Sequence, residues 1–111
     1  MNFETFFGFT KIIVDDLDRI AVFYEQTMGF RQFQRVHSSV AGEPMEEIIL
    51  VHGEGMGQSV PLVVWKWPNR PAPAASDVIL GFQTKDVAAL VAKVVAAGGS
   101  SGSAIPDANI H

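Results

Sequence analysis

The chain has 111 residues, 48% of them apolar and 18% charged, with a formal net charge of −4. That is the size of one globular domain, with a core sufficient to fold but a narrow stability margin, and the composition excludes wholesale disorder. An acidic balance without any run of Lys or Arg excludes a phosphate-binding footprint, so no nucleic-acid partner is expected. The absence of cysteine excludes disulfides, thiolate metal sites and a Cys nucleophile, and it suits a reducing compartment. Met1 to Gly8 lacks the basic start of a signal peptide. No apolar run approaches the roughly 20 residues that span a bilayer. A cytoplasmic location with no membrane partner is the expectation.

Phe9 to Val14 reads as a short strand. Asp15 and Asp16 follow, where a side-chain oxygen can accept the orphan N–H groups of a helix start. Leu17, Ile20, Ala21, Tyr24 and Met28 then recur at helical spacing as one apolar stripe, and Gly29 supplies a left-handed stop. Phe30 to Val36 reads as a strand, Val40 to Pro44 as a turn, and Glu46 to His52 as a second strand. The Gly-rich stretch from His52 to Ser59 reads as a hairpin loop. Val60 to Trp67 is the third β run after the helix. Pro68 to Ser76 is rich in proline and alanine and reads as a linker.

The opening pattern then returns. Val78 to Thr84 reads as a strand, Lys85 and Asp86 stand where Asp15 and Asp16 stood, and Val87, Leu90, Val91 and Val94 form a second helical stripe ended by Gly98 and Gly99. Strand, Asp, helix and Gly thus occur twice, about 70 residues apart, an internal repeat. The repeated unit is βαβββ, with three antiparallel strands after the helix. The fold class predicted is α+β, built of paired βαβββ modules. Module one covers residues 7–67, the linker 68–76, and an incomplete module two 77–111, truncated at its C-terminus. A sheet short of strands exposes an edge of unpaired backbone groups. The expectation is therefore a chain that continues beyond His111, or a second chain that covers the edge.

The stretch from Phe9 to Arg19 (FTKIIVDDLDR), the Phe23-Tyr24 pair and Met28-Gly29-Phe30 together resemble the vicinal oxygen chelate superfamily. That superfamily includes glyoxalase I, extradiol dioxygenases, methylmalonyl-CoA epimerase and bleomycin-resistance proteins. Gly81 to Val87 and Ala97-Gly98-Gly99 resemble its second half. The resemblance implies modules that curl into a half-open cup, within one chain or between two chains of a homodimer. It also implies a metal ligand on the first strand and on the last strand of each module. Carried over, those positions fall on Phe9, on Val63 (or Leu62, one residue away) and on Ile79, with the fourth beyond His111. Hydrocarbon side chains have no lone pair to give a divalent metal. No metal and no cofactor are therefore expected, and the chain is similar to the drug-binding branch of the superfamily.

Several residues point to ligand contact. Trp65 and Trp67, two apart on a strand, share a face with Val63 and offer flat aromatic surface to a planar or aromatic small molecule. Each would otherwise pack under a helix or in a subunit contact. Phe9, Lys11 and Ile13 share a face of the first strand, where Lys11 is either an anchor for an anionic group or a solvated strand end. Gln83 shares a side with Ile79 and would orient an amide or carbonyl. Adjacent Glu46 and Glu47 point to opposite faces and cannot act as a couple, and Glu47 is the candidate for the inner side. His37 and His52 lie at strand ends and read as surface residues, with a stray metal site as the rival reading. Gly53 to Gly57 lacks the features of a phosphate loop. Ser38, Ser39 and Ser59 have no evident His–Asp partners.

The function predicted is metal-independent binding of a small molecule, as in drug or metabolite sequestration. The rivals are a metal-dependent lyase, isomerase or dioxygenase of the same fold with displaced ligands, and a module that serves only assembly.

Overall fold

The structure is a computed structural model that describes residues 4–55, 57, 59–75 and 78–101. Six elements follow one another: β1 (Thr10–Ile13), α1 (Leu17–Met28), β2 (Arg31–Val40), β3 (Glu43–Val51), β4 (Leu62–Lys66) and α2 (Val87–Ala96). The four strands form one sheet in the order β1-β4-β3-β2. β1 runs parallel to β4, while β2, β3 and β4 are antiparallel neighbours. This is one complete βαβββ unit, and the fold is α+β of the glyoxalase type.

Local chemistry sets the helix limits. Asp16 is the N-cap of α1, its Oδ1 accepting from the Arg19 N–H at 3.2 Å, and Asp18 adds negative charge in the first turn, where the helix dipole favours it. Gly29 ends α1 at φ 73, a left-handed conformation that a Cβ would strain. Asp15 plays a different part from its neighbour. Its carboxylate accepts from the Ala72 N–H at 2.6 Å and its carbonyl accepts from Lys66 Nζ, which ties the linker and β4 to the strand–helix corner. Between β2 and β3 the turn is tighter than the sequence suggests: only Ala41 and Gly42 lie outside the ladder, both at positive φ (51 and 83). That is the backbone a two-residue hairpin requires.

The core lies between α1 and one face of the sheet. Leu17, Ala21 and Phe30 pack against Ile48, Leu50, Leu62 and Val64. Ile12, Ile20, Tyr24 and Met28 surround this cluster. At the β2 edge the same face turns polar: Arg35 pairs with Asp18 of α1, and Gln32 donates to Glu25 at 2.9 Å.

The second repeat departs from expectation. Val78 to Thr84 forms no strand. Its alternation is real, since Leu80 and Phe82 pack against the core while Ile79, Gly81 and Gln83 face outward. A strand also needs a partner ladder, and among the described residues none forms. Helix α2 is capped as α1 is, Asp86 Oδ1 accepting from the Ala89 N–H at 3.0 Å, yet none of its residues is buried. It touches α1 and no strand.

Candidate functional site

Strand register decides which side chains meet. Lys11, Val63 and Ile49 form one row across β1, β4 and β3, and Ile13, Trp65 and Glu47 form the next. Directly paired residues share a face, so these two rows lie on the side of the sheet opposite α1. Alternation brings Trp67 to the same side, its ring 5.1 Å from that of Trp65 and nearly perpendicular to it (70°). Phe9 immediately precedes β1, with the Lys11 Nζ 5.4 Å from its ring centroid. Six of the residues singled out above, Phe9, Lys11, Glu47, Val63, Trp65 and Trp67, therefore gather on one face.

The centre of that face is a charged cluster. Lys11 Nζ lies 3.1 Å from Glu47 Oε1 and 3.9 Å above the Trp65 ring centroid. The Lys11 side chain is 36% exposed and the Glu47 side chain 13%, so the ammonium is the accessible member of the pair. A comparable arrangement stands beside it. Arg70 lies 4.3 Å from the Trp67 ring centroid and 2.7 Å from Glu43 Oε2. Each indole thus carries a cation over its ring, and less flat aromatic surface is open for stacking than the sequence suggested. Such cations are attracted by the ring quadrupole, by about 0.5–1 kcal/mol where exposed. Trp65 is 7% exposed, and its buried Nε1 has no hydrogen-bond partner among the described residues.

The remaining candidates lie elsewhere. Ile79 is 92% exposed and stands on no strand. Gln83 lines a largely apolar cavity of about 430 Å³ with Phe82, Leu90 and Val94, beside α2 and away from the Lys11 cluster. Both were expected on the cup face. The reason they miss it is the absent ladder: the inward residues of this segment, Leu80 and Phe82, pack on the α1 core, which directs the alternate residues out. Glu46 is on the α1 side of the sheet, near Arg35 at 4.0 Å and His37 at 3.6 Å. His52 stacks on Phe30 at 4.0 Å and donates from Nε2 to the Met28 carbonyl at 2.8 Å, pinning the end of α1 to the end of β3. His37 pairs across the ladder with Glu46, and His52 lies six positions on from Glu46, roughly 20 Å along a strand, so His37 and His52 do not converge. Ser59 Oγ comes to 3.5 Å from His52 Nδ1, but the other ring nitrogen serves a main-chain carbonyl and, among the described residues, no carboxylate orients the ring.

A cleft of about 350 Å³ runs beside β1, lined among others by Lys11, Ile13, Tyr24, Pro73 and Leu80. Burial raises the Tyr24 phenol above its ordinary pKa of 10.0, because the anion would lose hydration among the core rings. The sequence marked Tyr24 only as part of the α1 stripe and the Phe23-Tyr24 pair, and did not single out Arg70 or Glu43. Arg70 follows the β4 tryptophans in a Pro-rich stretch that carries no periodicity to mark its side.

A βαβββ unit followed by a second Asp-capped helix is the architecture of a glyoxalase-type protein. The sequence model of the Glyoxalase/Bleomycin resistance protein/Dioxygenase superfamily matches residues 7–108, and the chain belongs to that superfamily. No curated protein matches the chain. Metal-dependent members of such a family need oxygen or nitrogen donors, and the residues at the corresponding positions here, Phe9, Val63 and Ile79, do not fit a metal. Among the described residues no group of three or more His, Cys, Asp or Glu side chains is placed to hold an ion.

Proposed function

We propose that the protein binds a small organic molecule without a metal, on the sheet face that carries Lys11, Glu47, Trp65 and Trp67. The observation that carries this reading is the Lys11 ammonium, fixed between Glu47 and the Trp65 ring in the row that includes Val63. A fixed positive charge among apolar and aromatic groups supplies orientation and attraction, which are the parts of a binding site. Drug or metabolite sequestration needs nothing further. A cytoplasmic location and a homodimer belong to the same proposal. No helix among the described residues is long and apolar enough to cross a membrane. Among the described residues no further strand pairs with the outer sides of β1 and β2, which suits a second copy.

The test combines metal analysis with tryptophan emission. Purified protein, treated with EDTA, is titrated with a panel of planar organic compounds. Sub-stoichiometric metal together with a saturable emission change supports the proposal. Stoichiometric Zn, Ni, Mn or Fe, whose removal abolishes the response, overturns it in favour of a metal-dependent lyase, isomerase or dioxygenase. An emission spectrum unmoved by every compound overturns it in favour of assembly.

A further inference from the structure

From the surroundings of α2 we infer a second binding site, a groove between the end of α1 and the second repeat that takes a hydrocarbon chain ending in one oxyanion. It lies away from the Lys11 face and does not depend on the function proposed for that face.

Nine of the ten residues of α2 are Val, Ala or Leu, Lys93 being the tenth, and none is buried. A helix that is apolar all round normally sits inside a core. Here Val91 remains 39% exposed. The side of α2 formed by Val87, Leu90, Val91 and Val94 joins Met28 and Phe82 in walling the cavity of about 430 Å³ beside this helix. That volume is within the ordinary range of small-molecule sites. Hydrocarbon is the chemistry such walls favour, with a gain that grows with the apolar area taken out of water.

The polar end is supplied next door. A second cavity of about 430 Å³ shares Met28, Phe82, Gln83, Thr84 and Leu90 with the first and adds Lys93. Lys11, Arg35 and Arg70 each sit against a carboxylate. The Lys93 side chain has neither an ion pair nor a hydrogen bond among the described residues, and no described Asp or Glu lines either cavity. Lys93 stands in the last turn of α2, where the helix end contributes about half a negative charge, so its unit charge is not cancelled. His52 also borders this cavity, but its Nε2 is engaged by the Met28 carbonyl. One cation beside an apolar cavity selects one anionic group at the end of an apolar chain. A lysine ammonium is a point charge without a fixed fork, so it accepts a carboxylate or another compact oxyanion alike. A membrane surface is a poorer occupant, because a single basic residue on the helix gives little attraction to anionic lipid.

The experiment is nitrogen–proton correlation spectroscopy of the isotope-labelled full chain during titration with hexanoate, octanoate and decanoate, each below its micelle concentration, and with octanol as the uncharged counterpart. Saturable shifts are expected in the amides from Phe82 to Val94, with both indole N–H resonances unmoved. Affinity is expected to rise about threefold for each methylene added. Octanoate is expected to bind severalfold more tightly than octanol, the size of an ion pair at a partly open site. Lys93→Gln removes that preference, Lys93→Arg keeps it, and Val91→Asp, which sets a carboxylate among the apolar walls, abolishes octanoate binding. Both positions are exposed, and circular dichroism confirms that the variants fold. Equal affinity for octanoate and octanol, unchanged in Lys93→Gln, overturns the oxyanion. Shifts confined to the indole resonances, or no saturable shift with any compound, overturn the groove as a site and leave the reading of the Lys11 face untouched.

Discussion

The two repeats start alike and end differently. Both helices begin on an Asp whose carboxylate accepts from the N–H three residues on, and both stop at glycines with positive φ, Gly29 and Gly98. After that the first repeat gains three antiparallel strands, and α1 buries Leu17 and Ala21 beneath them. The second has no strand among the described residues, and α2 buries nothing. Similar local signals thus produce similar helices, while burial follows the sheet. Capping and propensity are short-range and need only neighbours in sequence. A core needs partners distant in sequence, and β3 with β4 supply them only to α1.

This contrast is sharpest in the hydrocarbon side chains. Ile48→Ala or Leu50→Ala removes a fully buried side chain and is expected to cost about 2–5 kcal/mol, through lost transfer energy plus a cavity. Val91→Ala and Val95→Ala, both on the exposed face of α2, are expected to change stability by no more than about 0.5 kcal/mol. Urea unfolding of the four variants measures both. A large loss from the α2 variants would show that something covers this helix.

The junction between repeats is the next place to press. A Cβ on Gly99 would lie 2.7 Å from Val94 Cγ1 and 3.0 Å from the Phe23 ring. Gly99→Ala is therefore expected to destabilise by about 1–3 kcal/mol through overpacking, seen as a lower urea midpoint. The caps give a smaller effect. Asp16→Ala is expected to cost about 1 kcal/mol. Asp86→Ala is expected to cost less in global stability, because fraying of α2 exposes no buried residue. Hydrogen exchange in the two helices separates the cases.

The smallest effect concerns Tyr24, the only tyrosine in the chain, whose ring meets Phe82 of the second repeat at 6.3 Å. Burial raises its pKa in the folded state. Above pH 10.0 the unfolded chain loses this proton first, so the unfolded state binds fewer protons and stability falls as pH rises. The fall stops once the folded phenol also ionises. Ultraviolet titration of the phenolate is expected to give a midpoint above 10.0 in the wild type and one closer to it in Phe82→Ala.

Much of the first repeat was legible because its signals are local or periodic. Asp16, Gly29 and the Leu17-to-Met28 stripe define α1, and strict alternation put Val63, Trp65 and Trp67 on one side of β4. The pairing of Lys11 with Glu47 was not legible. It depends on the parallel register of β1 with β4 and the antiparallel register of β4 with β3, and no residue in either strand announces that offset. The reading of Val78 to Thr84 failed for the opposite reason. Its alternation is present and directs Leu80 and Phe82 inward, but alternation fixes the face a residue presents and not the existence of a neighbouring strand. Ile79 and Gln83 were therefore assigned to a cup whose second wall the described residues do not form.

The sheet face around Lys11, Trp65 and Trp67 is proposed to take a small organic molecule without a metal. That reading is tested by following the two indole N–H resonances of isotope-labelled, EDTA-treated protein during addition of planar organic compounds. A saturable shift of the resonance that is missing from Trp65→Phe is expected with at least one of them. Indole resonances that stay in place with every compound, or that respond only after a divalent metal is added, would contradict it.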